Sequence, residues 1–233
     1  MLSAVVGFGK SGAETRGRVE RPRHLRRGPT TGVALSGAVD HPDLDAFLAQ
    51  RHDRIVVDMG CGDARATARI AAAEPTALVV GIDANLDSAE RVARRARRPV
   101  AKGGLPNLLL VRASAETLPT ALTGRADDLR VDLPWGSLLE GLLAEGIEGG
   151  VVAVALARLL APGATVRVTI NARALPDGLT RDAAERRLAD GFVAAGLADV
   201  AVRSTAMPPE TGWGKRLASG RPLEVIVGEA RRR

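Results

Sequence analysis

The chain has 233 residues, of which 45% are hydrophobic and 26% charged, with 33 basic residues against 27 acidic ones, a net charge of +6. This is globular composition and excludes a wholly disordered chain; no apolar stretch approaches the roughly 18 residues of a membrane-spanning helix. One cysteine excludes an internal disulfide, three dispersed histidines (His24, His41, His52) exclude a zinc-finger cluster, and the lack of an N-terminal apolar run makes the cytoplasm the expected location.

Residues 1–28 are rich in Gly and Arg, show no sustained period and read as an extension, which leaves 29–233 as one domain. A short strand or hairpin arm is expected at 31–36 and a short helix at 43–50. The pattern then sharpens. Strands are predicted at 55–58, 77–82, 108–112, 128–133, 164–170, 199–204 and 223–228. Helices are predicted at 64–73, at 87–98 (stopped by Pro99), at 149–160 (stopped by Pro162-Gly163) and at 181–195. Strands apolar on both faces and alternating with helices imply a parallel sheet covered on both sides, the α/β class. Ligands of such sheets sit at the carboxyl ends of the strands, so the residues just after each strand carry the chemistry.

The first strand runs into Asp58-Met59-Gly60-Cys61-Gly62-Asp63-Ala64-Arg65. Gly60 and Gly62 allow a sharp turn and close approach of a ligand. A dinucleotide fingerprint would place glycine at 65, where this chain has arginine, and would avoid a carboxylate where the pyrophosphate lies, as Asp63 does; NAD and FAD are disfavoured. Asp58 and Asp63 suit a ligand with an ammonium group, such as S-adenosylmethionine (SAM). Asp83 ends the second strand, where a carboxylate accepts from both ribose hydroxyls, and Ser114-Ala115-Glu116 follows the third, where an adenine would be held. Cys61 reads as a small loop residue rather than a nucleophile.

The chain has no tyrosine, three phenylalanines and two tryptophans, so each tryptophan is conspicuous. Trp135 follows the fourth strand in Asp132-Leu133-Pro134-Trp135-Gly136-Ser137, and Trp213 lies in a glycine-rich basic loop between the last two strands. Both loops open on the carboxyl-end face, where two indoles can hold a flat base between them for about 1–3 kcal/mol per stacked base. Lys215, Arg216 and Arg221 flank Trp213 and could take the adjoining phosphates. Arg91, Arg94, Arg95 and Arg98 share one predicted helix face with only Asp87 and Glu90 to balance them, which favours a phosphate backbone as partner.

These residues carry a resemblance. VVDMGCGDAR, GIDAN (81–85), RRPVAKGGLPNLLLVRASAETLP (97–119), DLPWGSLL (132–139) and TGWGKRLASGR (211–221) make the chain similar, over about 30–229, to the aminoglycoside-resistance 16S rRNA (adenine(1408)-N1)-methyltransferases of the Kam type. The resemblance implies a class I SAM-dependent methyltransferase: a Rossmann-like, mostly parallel seven-stranded sheet with an antiparallel last strand and an N-terminal hairpin. It implies SAM as cofactor, no metal, and 16S rRNA within the assembled 30S subunit as substrate of a monomeric enzyme. By position, it implies cofactor contacts at Asp58, Gly60, Asp83, Ala115, Glu116, Leu133 and Ser137, a base-holding pair in Trp135 and Trp213, and rRNA docking by Arg94, Arg95, Arg98, Lys215, Arg216 and Arg221. The chain departs from the family at Cys61, Ala64 and Leu223 and in a shortened 171–198 segment, where Asp177 is one candidate for a target contact. The alternatives from the residues are a SAM-dependent enzyme with a small-molecule substrate and a catalytically weakened rRNA-binding protein of the same fold.

Overall fold

The computed structural model describes residues 41–207, Gly214, Leu217 and 221–233. The expected N-terminal extension and hairpin, together with Trp213, Lys215 and Arg216, lie outside the described residues. Seven strands form one sheet in the order β3-β2-β1-β4-β5-β7-β6, with β1 Ile55–Met59, β2 Leu78–Asp83, β3 Leu108–Arg112, β4 Ala126–Asp132, β5 Leu160–Asn171, β6 Ala198–Met207 and β7 Leu223–Arg231. The first five pair in parallel, and β7 is antiparallel to both β5 and β6. Six helices accompany them among the described residues: α1 His41–Leu48, α2 Arg65–Ala73, α3 Glu90–Ala96, α4 Ser137–Leu142, α5 Gly146–Leu159 and α6 Arg181–Ala194.

The alternation of strand side chains divides the core. Val57, Leu129, Val131, Val166, Val168 and Ile226 point to one face and pack with Leu142, Leu156, Leu188 and Phe192 of α4, α5 and α6. Val56, Val79, Leu108 and Leu110 point to the other and meet Ala68 and Ala71 of α2 and Val92 and Ala93 of α3. Small helix residues bring α2 close to the sheet, so the aliphatic strands make a close-packed core with little aromatic filler. Further along this second face, Leu223, Val225 and Val227 of β7 pack with Leu133, Met207 and Leu217.

Three expected boundaries move. The helix expected over 87–98 is a 3-10 turn at Asp87–Ala89 followed by α3, which ends at Ala96, so Arg98 lies beyond the helix rather than on its face. Pro162-Gly163 does not stop α5; the helix ends at Leu159, and the pair sits inside β5, where pairing jumps from Ala126↔Leu160 to Asp128↔Thr165. Pro162 has no N–H to donate, and the chain bulges there while Gly163 N donates to Arg232 O at 2.9 Å. The strand expected at 199–204 extends over 198–207, because the ladder with β7 supplies backbone hydrogen bonds along its whole length.

Candidate active site

After Met59 the chain turns into α2 through three left-handed residues, Gly60 (φ 78°), Gly62 (φ 55°) and Ala64 (φ 55°). Gly60 is required twice over: besides its φ, a Cβ there would lie 3.0 Å from Leu138 Cδ2 of α4. Gly60 and Cys61 donate their N–H groups to Ile82 O at 2.7 and 3.1 Å. Gly62 N donates to Asp83 Oδ2, and Asn85 N donates to Asp83 Oδ1, both at 2.8 Å. Asp83 is thereby fixed at the end of β2 with acceptor capacity left on each oxygen, which suits the two hydroxyls of a ribose.

Asp58 lies beneath the loop, 4% exposed, and accepts from the Thr67 hydroxyl of α2 at 2.5 Å. Burial pushes its carboxyl up to about 6, against the Thr67 bond and with a smaller upward push from Asp132. Burial likewise pushes the Cys61 thiol up, so it stays protonated and is no nucleophile. Asp63 turns back on α2, accepting from Arg65 N at 3.2 Å and pairing with the Arg65 guanidinium at 3.6 Å.

A cleft of about 240 Å³ opens at the carboxyl ends of β1, β2, β3 and β4. It brings together six of the residues expected from the sequence, Gly60, Asp83, Ala115, Glu116, Trp135 and Ser137, with Asn85, Ser114 and Leu138 beside them. Asp58, Gly62, Asp63 and Leu133 do not line it. Thr117, unremarked in the sequence, orders its β3 wall: Ser114 N donates to Thr117 Oγ1 at 3.0 Å, and the two hydroxyls lie 3.2 Å apart. The neighbouring Ser114 hydroxyl lowers the carboxyl pKa of the exposed Glu116, which favours its ionised form as an acceptor for an amino group.

Trp135 is 76% exposed on the rim of this cleft. Its loop leaves β4 through Leu133, which has φ 55° and donates its N–H to Thr169 O at 2.7 Å, and through Gly136 at φ 57°. A non-glycine residue in this region is strained, and the strain carries the indole out of the sheet and over the cleft. Leu217 packs in the same apolar cluster as Leu133, two residues before Trp135.

The arginines form a separate surface. Arg91, Arg94, Arg95, Arg97, Arg98 and Lys102 are all exposed, and so is Arg221. Glu90 pairs with Arg94 at 3.6 Å, while Asp87 is turned away to Arg112 at 3.1 Å. Arg95 Nε donates to Gly103 O at 3.2 Å, tying α3 to the loop after it. That loop explains the string KGGLPN. A Cβ on Gly104 would fall 1.7 Å from Arg98 O, and the buried Asn107 amide donates to Ala71 O, Glu74 O and Ala77 O at 2.9–3.0 Å. Asn107 and Thr67 both escaped the sequence reading; their only signal was membership of a motif string or of a helix already assigned.

The family model for NpmA, the 16S rRNA (adenine(1408)-N(1))-methyltransferase, matches residues 36–232. The chain belongs to this family. It is 36% identical over 187 residues to the 16S rRNA (adenine(1408)-N(1))-methyltransferase of Streptoalloteichus tenebrarius, covering 75% of this chain and 85% of that protein. Among solved structures, a tryptophan-to-alanine variant of the 16S rRNA (adenine(1408)-N(1))-methyltransferase from Catenulisporales acidiphilia, with cosubstrate SAM, superposes with a TM-score of 0.70 at 33% identity, covering 86% and 95% of the two chains. The aminoglycoside resistance methyltransferase NpmB1 superposes with a TM-score of 0.67 at 32% identity, covering 84% and 94%. The seven-stranded sheet is thus the class I methyltransferase fold, and the enzyme class and cofactor are those of a SAM-dependent rRNA methyltransferase.

Proposed function

We propose that this chain transfers the methyl group of SAM to N1 of A1408 in the decoding site of 16S rRNA, acting on the 30S subunit in the cytoplasm and conferring aminoglycoside resistance. The observation that carries this reading is Trp135: a large indole held almost wholly in solvent, by a strained loop, at the mouth of a cleft that offers Asp83 and Glu116. Burying that indole elsewhere would stabilise the fold, so its exposure points to a partner that covers it. An unpaired purine stacked on it, with Trp213 as the second plate, supplies that cover.

Bound SAM supplies a methyl on a positively charged sulfur, whose departure leaves a neutral thioether. The protein does the rest by positioning. Adenine N1 is an unprotonated lone pair at neutral pH, so the attack needs no general base, and the new positive charge stays on the purine. His52 Nε2 donates to Phe47 O before the start of β1, at the opposite end of that strand from the cleft, and the Cys61 thiol is buried, so neither takes part. Asp83 and Glu116 orient the donor, the indoles hold the acceptor plane, and alignment of the reacting atoms provides the rate. Extrusion of the base costs a few kcal/mol, offset by stacking and by phosphate contacts to the arginine surface.

The test is methylation of 30S subunits with labelled SAM, followed by primer extension across the decoding site. A stop at A1408 is expected with the wild-type chain. Trp135→Ala and Trp213→Ala are each expected to lower product by about 10-fold or more, from the loss of one stacked face, with SAM affinity unchanged by calorimetry. A small-molecule substrate class would show no stop, and full product from both variants would remove the stacking role.

A further inference from the structure

The turn after α3 carries an apolar tip that phosphate docking by arginines does not account for. Residues 97–103 are exposed without a break, and Pro99, Val100 and Ala101 stand at their centre, Val100 at 69% exposure. Arg97 and Arg98 precede the three apolar residues and Lys102 follows them. A lone exposed valine needs no explanation, and the tip of a surface loop is ordinarily its least ordered part. This tip is held. Pro99 has φ −53°, Val100–Lys102 form a single 3-10 turn, and Gly103 reverses the chain at φ 76°. Lys102 N donates to Pro99 O at 2.8 Å and Gly103 N to Val100 O at 2.9 Å, while Arg95 Nε holds Gly103 O from the helix side. Val100 is also β-branched and stiff at χ1, so its methyls lose little freedom when covered.

A rigid apolar tip with cations on both sides in the chain fits a polyanion that also offers apolar surface. The three residues have no aromatic face on which an unpaired base would stack. They are short side chains, unsuited to the deep, narrow major groove of A-form RNA, whereas its minor groove is wide, shallow and floored by ribose. We infer that Pro99-Val100-Ala101 seats in the minor groove of an A-form segment of rRNA, with Val100 against ribose and with Arg97, Arg98 and Lys102 toward the phosphates of the bordering strands. α3 runs back from the carboxyl ends of the strands, so this turn lies at the amino end of β3. The five residues of β3, roughly 16 Å of strand, separate it from the cleft, so the groove belongs to a part of the rRNA other than the extruded adenine. The inference rests on the reading of the chain as an enzyme that binds the 30S subunit.

The experiment is filter binding of the full chain to 30S subunits over a salt series, with hydroxyl-radical footprinting of the rRNA, since these radicals attack ribose. Val100→Ser is expected to raise Kd about 3- to 10-fold at every salt concentration, from the loss of one partly covered apolar side chain. The salt slope should stay the same, because no phosphate contact is lost. Val100→Ile is expected to bind within about twofold of wild type. The wild-type chain should protect riboses that face each other across one minor groove, and this protection should fade with Val100→Ser alone. The side chain is exposed, so the urea midpoint and SAM affinity of both variants should match wild type. Unchanged 30S affinity of Val100→Ser, a slope altered by about one unit, or an equal loss with isoleucine would each overturn the inference. Weaker binding with the ribose protections intact would give the tip to a ribosomal protein and overturn it too. Failure of the wild-type chain to bind 30S subunits would overturn the functional reading as well.

Discussion

Asp58 shows how a residue can be placed at a cost. Its carboxyl is raised from 3.8 to about 6 by burial. A carboxyl whose folded pKa lies above its unfolded value binds its proton more tightly in the native state. Folding therefore pays nothing for it below about pH 4, an increasing penalty between about pH 4 and 6, and a constant one above, of about 3 kcal/mol for a shift of this size. Asp58→Asn keeps an acceptor for the Thr67 hydroxyl and removes the charge. It is expected to raise Tm at pH 7.5 and to give no gain at pH 4, read by thermal denaturation across that range. A gain that persists at pH 4 would place the effect in packing rather than ionisation.

At the scale of an element, the α3–β3 connection is built to hold arginines outward. Gly104 N donates to Pro99 O at 3.2 Å and Leu105 N to Ala96 O at 3.0 Å, folding the loop back on the helix end, and the Gly104 Cα approaches Arg98 O too closely for any side chain. Gly104→Ala must therefore displace backbone, not a flexible side chain. A loss of about 2–4 kcal/mol is expected from the urea midpoint, with weakened 30S binding because Arg95 and Arg98 are carried by the same turn. Asn107 closes the other side by satisfying three carbonyls around the end of α2. The glycines and the asparagine of KGGLPN thus have structural reasons that stand apart from contact with RNA.

For the whole molecule, charge is segregated from the cleft. The cleft side carries Asp83 and Glu116, while the exposed run from Arg91 to Lys102 carries six basic residues with Glu90 as the paired acid. Reversal of Arg94, Arg95 and Arg98 to glutamate is expected to weaken 30S binding about 10-fold or more and to flatten its dependence on salt, by about one unit of slope for each phosphate no longer neutralised. SAM affinity should be unchanged, since the two sites share no side chain. Filter binding over a salt series reads the slope; an unaltered slope would remove α3 and its following turn from the docking surface.

Much of this was legible in the order of residues alone. The seven strands, the parallel sense of the first five and the strand-end placement of Gly60, Asp83, Ala115, Glu116 and Trp135 follow from hydrophobic patterning, because an apolar run between helices reads as a buried strand whose last residue faces the ligand edge, whereas the antiparallel β7 was implied by the family resemblance alone. Boundaries were less legible: Pro162-Gly163 is a stop signal locally, yet a neighbouring strand can absorb it as a bulge. Only the tertiary structure decided which acids face the cleft. Asp58, Asp63 and Asp83 are equivalent as letters near a glycine loop, but Asp58 is buried against Thr67, Asp63 pairs with Arg65, and Asp83 is oriented by two backbone N–H groups. Sequence spacing sets where a carboxylate starts from; burial and hydrogen-bond partners, contributed by residues far along the chain, set where it points and whether it is charged.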